Sequence, residues 1–240
     1  MQADTRHSTW RFLRPLARRL LAWRYRLFQT HRHGHLVLED VAGRPIVVLP
    51  EVFNPKLFRS GELLAEVIEA GAIPPHTSVL DLGTGSGVGA VFAARWVARV
   101  VAIDINPAAV RCARLNALLH HCEHKVDVRQ GDLFAPLGDD ERFDTVLFNP
   151  PYYPGEPRDA LDRAFHATDA LERFAAGLGA VLAPGGSALL VVSSDMGLER
   201  VVSTLARSGF SAEVVHREER LNETLVVYRF RRESAGQESA

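Results

Sequence analysis

A chain of 240 residues with 47% hydrophobic and 24% charged residues has the make-up of a soluble globular protein large enough to bury a sizeable core. Its formal net charge of -1 gives no general pull toward nucleic acid or an acidic membrane, and no apolar run approaches the roughly 18 residues of a membrane span. Two cysteines, Cys112 and Cys122, are too few for a disulfide framework and point to a reducing, cytoplasmic interior.

The first 35 residues are arginine-rich and lack the apolar core of a signal peptide. Leu13, Leu16, Leu20, Trp23 and Leu27 recur at three- and four-residue spacing, one helical stripe, with Arg11, Arg14 and Arg18 on the other side. Pro15 suits a first helical position. Such a helix suits RNA phosphates, a membrane surface or an organellar transit peptide; equally it suits a helix docked on the domain with its charges in water. His35–Leu38 and Pro45–Val48 flank Asp40-Val41-Ala42-Gly43, the pattern of a small hairpin. Residues 1–50 are therefore expected to form a basic helix and hairpin, 51–232 the main domain and 233–240 a loose tail. Val52-Phe53-Asn54-Pro55 leads into a helix from Gly61 to Ile68, which Pro74-Pro75 closes.

From Ser78 the pattern alternates strand and helix, predicting an α/β fold with a mostly parallel sheet covered on both faces. Strands are expected at Ser78–Leu82, Val100–Asp104, Lys125–Arg129, Phe143–Phe148 and Ser187–Val192. Helices are expected at Gly87–Trp96, Pro107–His120, Asp169–Val181 and Leu198–Ser208. Ala212–Val215 and Thr224–Phe230 look like a closing hairpin.

Two loops carry the chemistry. Asp81-Leu82-Gly83-Thr84-Gly85-Ser86-Gly87 follows the first strand of the alternating region. Glycines let the backbone turn tightly and approach a ligand, and the helix behind them aims N–H groups at it. Asp104, ending the next strand, is placed to accept two ribose hydroxyls. Gly85-Ser86-Gly87-Val88-Gly89-Ala90 also satisfies a dinucleotide pattern, so NAD is an alternative, as is a tight turn with no ligand. Asp81 before the glycines would repel a pyrophosphate but tolerate a sulfonium with a cationic amino group. In Gly131-Asp132-Leu133-Phe134, Asp132 is placed to accept an adenine amine, with Leu133 or Phe134 against the ring. These features favour S-adenosylmethionine.

The second loop is Asn149-Pro150-Pro151-Tyr152. The Asn149 side chain and the Pro150 carbonyl can each accept from an –NH₂ group, the prolines offer no competing N–H, and Tyr152 supplies a stacking face. Gripping both hydrogens of an amide or aryl amine would localise its delocalised lone pair on nitrogen for in-line methyl transfer, and no metal is required. The alternative is a rigid turn. Tyr153, Arg158 and Asp159 extend this loop, either onto substrate or as an exposed flap.

These strings, with Ala183-Pro184-Gly185-Gly186, resemble the class I, Rossmann-like methyltransferases of the "methyltransferase small" superfamily, and most of all the HemK-like release-factor glutamine methyltransferases. The resemblance covers roughly residues 50 to 195. It implies a seven-stranded sheet with an antiparallel C-terminal strand and S-adenosylmethionine as cofactor. It also implies a cofactor site of Asp81, Gly83, Thr84, Gly85, Gly87, Asp104, Ile105, Asp132, Leu133 and Asn149. Asn149, Pro150 and Tyr152 would be catalytic, and Asn149, Pro151, Tyr152, Tyr153 and Glu62 would meet the substrate. Glu62 matches the segment that frames the site in those relatives, whereas Ser60-Gly61 replaces their Asp-Thr. The expected acceptor is a protein glutamine, as in release factors, or else an exocyclic base amine in RNA or DNA. An NAD(P)-linked oxidoreductase and a non-catalytic nucleotide-binding module are the readings from other classes. His31, His33 and His35, and His120-His121-Cys122-Glu123-His124, lack structural-zinc spacing and are expected to be surface residues.

Overall fold

The computed structural model describes residues 35–150, 169–220 and 223–233, and the arginine-rich stripe, Pro151 through Asp159 and the expected tail after Glu233 lie outside them. Strands β1 (Val37–Val41) and β2 (Arg44–Val48) form the expected hairpin, with a tighter turn than the sequence implied. Ala42 and Gly43 both have positive φ, 46° and 78°, the left-handed pair that a two-residue hairpin loop requires. Asn54 caps the short helix α1 (Pro55–Phe58), accepting from the N–H groups of Lys56 and Leu57, and Pro55 fills the position where no N–H is needed. Arg59, at φ 58°, turns the chain into α2 (Ser60–Glu69).

The main sheet runs β3 (Ser78–Leu82), β4 (Arg99–Asp104), β5 (Val126–Gln130), β6 (Phe143–Phe148), β7 (Leu182–Ser193), β8 (Phe210–Glu219) and β9 (Thr224–Arg232) in chain order. In space the order is β5-β4-β3-β6-β7-β9-β8. The first five are parallel, and β9 inserts antiparallel between β7 and β8. The strands therefore wind outward both ways from β3 and β6, and the crevice beyond their carboxyl ends is where open α/β sheets bind ligands.

Alternate strand residues feed two cores. Val79, Val100, Ala102, Leu147 and Leu189 face α2, α3 (Val88–Ala93) and α4 (Pro107–Leu119). Leu80, Val101, Val146, Leu190 and Phe230 face α5 (Ala170–Val181) and α6 (Leu198–Arg207). Val41, Ile46 and Val48 of the hairpin belong to the first of these cores, so residues 37–48 pack as part of the main domain.

Most element ends shift by one or two residues from the sequence pattern, as termini do. Three differences are larger. Helix α3 ends at Ala93, three residues before the expected Trp96. β7 begins five residues early, because Ala183–Gly186 bulges within the strand between the Phe143–Leu182 and Thr145–Ser187 pairs. Gly186 has no room for a Cβ, which would stand 3.0 Å from the Phe143 carbonyl oxygen. β8 spans ten residues instead of four, being an exposed edge strand whose polar side chains hide its alternation.

Candidate active site

Register brings the two loops together. Leu82 of β3 pairs with Phe148 of β6, so Gly83 and Asn149 leave adjacent strand ends side by side. On the other flank, Leu82 pairs with Ile103 and Asp104 with Gln130, which aligns the ends of β4 and β5 with them. Backbone bonds stitch these ends: Thr84 N–H donates to Ile103 C=O, and Gly131 N–H donates to Asp104 C=O, each at 3.0 Å.

The glycine bend is built for close approach. Gly83, Gly85 and Gly87 all have positive φ, and a Cβ on Gly87 would stand 2.9 Å from Ala113 Cα of α4. Asp81 lies beneath the bend, 3% exposed. Its carboxylate accepts from Thr84 Oγ1 at 2.6 Å and from Ala90 N–H at 2.9 Å, and a Cβ on Gly89 would collide with it at 2.7 Å. Burial pushes Asp81 up to about 7, against the lowering effect of those two donors, and the charge of Asp104 adds to the rise. Asp104 accepts from Gly85 N–H at 2.8 Å and Asn106 N–H at 2.9 Å; burial raises its pKa and those N–H groups pull it back. Ile105, next in the chain, shows a large apolar side chain 41% exposed, a surface against which a ring can lie.

At the third strand end, Asp132 accepts from Arg173 Nη2 of α5 at 2.7 Å, an exposed pair of small stability value. Leu133 has φ 48° and packs partly on the core. Phe134 stacks on Phe174 at 5.9 Å, and Phe174 meets Phe148 at 4.5 Å. That ladder commits Phe134 to packing, leaving Leu133 and Ile105 as the apolar faces toward a ligand.

On the acceptor side, Pro150 is buried, and Asn149 Nδ2 donates to Ser60 Oγ at 3.0 Å across 89 residues of sequence. Glu62 of α2 pairs with Lys56 of α1. Pro151, Tyr152 and Tyr153 lie outside the described residues. Sequence reasoning missed three groups here. Ser60 was seen only as part of a replaced pair. Phe53, whose Cβ lies 4.0 Å from the Cβ position on Gly85, meets the bend from the segment that leads into α1. Asn116, fully buried in α4, donates to Val47 C=O and Ser86 C=O and accepts from Val47 N–H. No local motif marks any of them.

The hollow lined by Arg44, Glu69, Arg95 and His120 lies at the other end of the sheet, where α3 and α4 finish. Among the described residues no group of three His, Cys, Asp or Glu side chains could hold a metal, and no helix is long and apolar enough to cross a membrane.

Asp104, beside the bend at the end of its strand, disfavours a pyrophosphate and suits a cofactor bearing a sulfonium and an ammonium, whereas Asp81 braces the bend from below and Asp132 is paired with Arg173. The glycine bend, Asp104 at the end of β4 and the apolar Ile105 and Leu133 are a set of residues that could hold S-adenosylmethionine. Fold and site together define a class I methyltransferase architecture. A chain of the E. cuniculi Mtq2-Trm112 complex shares that fold, at TM-score 0.57 and 22% identity, over 76% of this chain and 99% of that one. The methyltransferase small domain family matches residues 44–221, and the chain belongs to that family, whose cofactor is S-adenosylmethionine. A release factor glutamine methyltransferase of Geobacter sulfurreducens is 35% identical over 189 residues, 72% of this chain and 63% of the relative. A ribosomal protein uL3 glutamine methyltransferase of Bradyrhizobium diazoefficiens is 40% identical over 129 residues, 50% of this chain and 40% of the relative. The chain thus spans less than two thirds of the length of either relative.

Proposed function

We propose that this chain methylates the side-chain amide nitrogen of a glutamine in a protein of the translation machinery, a release factor or a ribosomal protein, in the cytoplasm. The observation that carries the reading is the Leu82–Phe148 register, which sets the glycine bend beside Asn149. The named activities of the two relatives support the glutamine acceptor.

When bound, S-adenosylmethionine supplies an already activated methyl group. Asp104, Ile105, Leu133 and the bend from Gly83 to Gly87 would hold it, with Thr84 and Asp81 bracing the bend and Asp132 the candidate acceptor for the adenine amine. Asn149 Oδ1 and the Pro150 carbonyl would accept the two hydrogens of the acceptor –NH₂; Tyr152 is the candidate ring for the amide plane, and Pro151, Tyr153 and Glu62 are the further candidates for substrate contact. Holding both hydrogens turns the nitrogen lone pair toward the methyl carbon. The chain's own part is thus to orient the amide and to leave its second proton free to pass to solvent once the nitrogen is methylated.

Incubating the full chain with labelled cofactor and cell extract, then splitting the sample by protease and nuclease, tests the acceptor. Label lost to protease is the expected outcome. Label that survives protease but not nuclease would overturn glutamine in favour of a base amine, the reading the arginine-rich first 35 residues would serve. Asn149→Ala is expected to abolish turnover, by roughly 100-fold or more, while calorimetry shows S-adenosylhomocysteine bound near wild-type affinity. Loss of both together would mean Asn149 belongs to the cofactor site alone. Binding of NAD instead of S-adenosylhomocysteine would point to an oxidoreductase, and cofactor binding with every acceptor left unmethylated to a non-catalytic module.

A further inference from the structure

We infer that Ser60 is a positioning residue that anchors the Asn149 carboxamide by its donating end, in the plane that leaves Oδ1 toward the acceptor, an inference that rests on the proposed transfer to an amide nitrogen. A carboxamide has an accepting end and a donating end, and only the accepting Oδ1 can grip an incoming –NH₂. With the plane reversed, Nδ2–H would confront the acceptor's own N–H groups and repel it. In this structure the donating end is occupied: Nδ2 bonds Ser60 Oγ at 3.0 Å. Ser60 is 0% exposed, so water does not compete for that contact.

The corner that carries Ser60 is fixed before any ligand arrives. Asn54 caps α1, and its own side-chain amide donates to Glu39 Oε1 at 2.9 Å. Arg59 takes the left-handed turn that starts α2 at Ser60. Gly61 lies so close to α1 that a Cβ there would stand 2.6 Å from Pro55 Cβ, so the two helices meet backbone to ring. The Lys56–Glu62 pair ties the same two helices again. A longer side chain at residue 60 would push Asn149 from its strand end, and a shorter one would remove the hydroxyl to which its Nδ2 donates. Serine, in place of the Asp-Thr of the resembled family, is thus matched to the amide it holds.

The test uses the full-length protein. In ¹⁵N-labelled protein the Asn149 side-chain NH₂ pair is the signal absent from Asn149→Ala. Ser60→Cys keeps the size of residue 60 but leaves only a weak sulfur partner; Ser60→Ala is the companion should the thiol disturb packing. Expected in both is a shifted and faster-exchanging Asn149 NH₂ pair. With a glutamine peptide as acceptor, kcat is expected roughly 10- to 100-fold lower, with S-adenosylhomocysteine affinity within about threefold and Tm close to wild type. An Asn149 signal unmoved in both variants, or a kcat in Ser60→Cys equal to wild type, would overturn the inference. If the NH₂ pair moves as expected but wild type methylates no glutamine peptide, Ser60 does hold the amide and the glutamine acceptor is what falls.

Discussion

Beneath the glycine bend the Asp81 carboxylate has two donors and almost no water, and burial outweighs the donors, pushing it up to about 7. The sign for stability follows. In the unfolded chain this group ionises near 3.8, so from there to about 7 the folded state holds more protons than the unfolded one. Stability from Asp81 is therefore fully present below 3.8 and is lost as pH rises through 7. Glu141, held down to about 2 chiefly by Arg129, contributes above its unfolded value of 4.5 and is constant across pH 5 to 8. Thermal unfolding without cofactor is thus expected at a lower Tm at pH 8 than at pH 5. Asp81→Asn is expected to flatten that fall without abolishing it, since Asp104 is raised by burial as well. Equal slopes in the two proteins would show that Asp81 ionises freely in the fold. The same residue marks a limit of reading chemistry from a string. An acid before a run of glycines was legible as a guard against pyrophosphate, but its hydrogen bonds to Thr84 and Ala90 make it first a brace of the bend, and that depended on the helix following it.

At the scale of elements, the hairpin and the cofactor loop are one mechanical unit because of Asn116. Its carboxamide pairs both backbone groups of Val47 in β2 and also holds the Ser86 carbonyl, as a neighbouring strand would. Asn116→Leu fills similar space but leaves those buried groups unpaired, at a cost of about 2–4 kcal/mol. In a chain of this size that lowers Tm by roughly 5–15 °C, and S-adenosylhomocysteine affinity should fall with it because Ser86 loses its anchor. A change in Tm under about 1 °C would mean β2 is held by its apolar contacts alone. The sheet was legible because the inner parallel strands are apolar runs, while β5 at the edge shows a period-two alternation, and the motif loops sit at the ends of these strands. Ser60, Asn116 and the Phe134–Phe174–Phe148 ladder were not, since each joins positions tens of residues apart and no local pattern records a pairing of that kind. The bulge at Ala183–Gly186 was hidden differently: Pro-Gly-Gly marks a turn in sequence, while here the turn occurs inside the strand.

For the molecule as a whole, charge decides between the two kinds of acceptor. The net charge is -1, yet the first 34 residues hold eight arginines against the single acid Asp4, so the remainder is acidic. A nucleic acid acceptor would have to be drawn to that one segment against repulsion from the rest, and its binding would carry the signature of released counterions. With 6–10 phosphate contacts, affinity falls by about 10³–10⁵ between 50 and 200 mM salt. A protein acceptor engaged by Asn149, Pro150 and Tyr152 through one planar amide owes little to such contacts. Its kcat/KM is expected to change by less than about tenfold over the same range, screening being confined to surface charges. Measuring kcat/KM for a glutamine-bearing protein at 50 and 200 mM KCl, in wild type and in a variant with Arg11, Arg14 and Arg18 changed to Gln, separates the cases. A shallow slope in both proteins supports the glutamine acceptor. A steep slope that the three substitutions reduce would show that Arg11, Arg14 and Arg18 meet a highly charged partner, which counts against an acceptor held through one planar amide alone and favours a phosphate-bearing one.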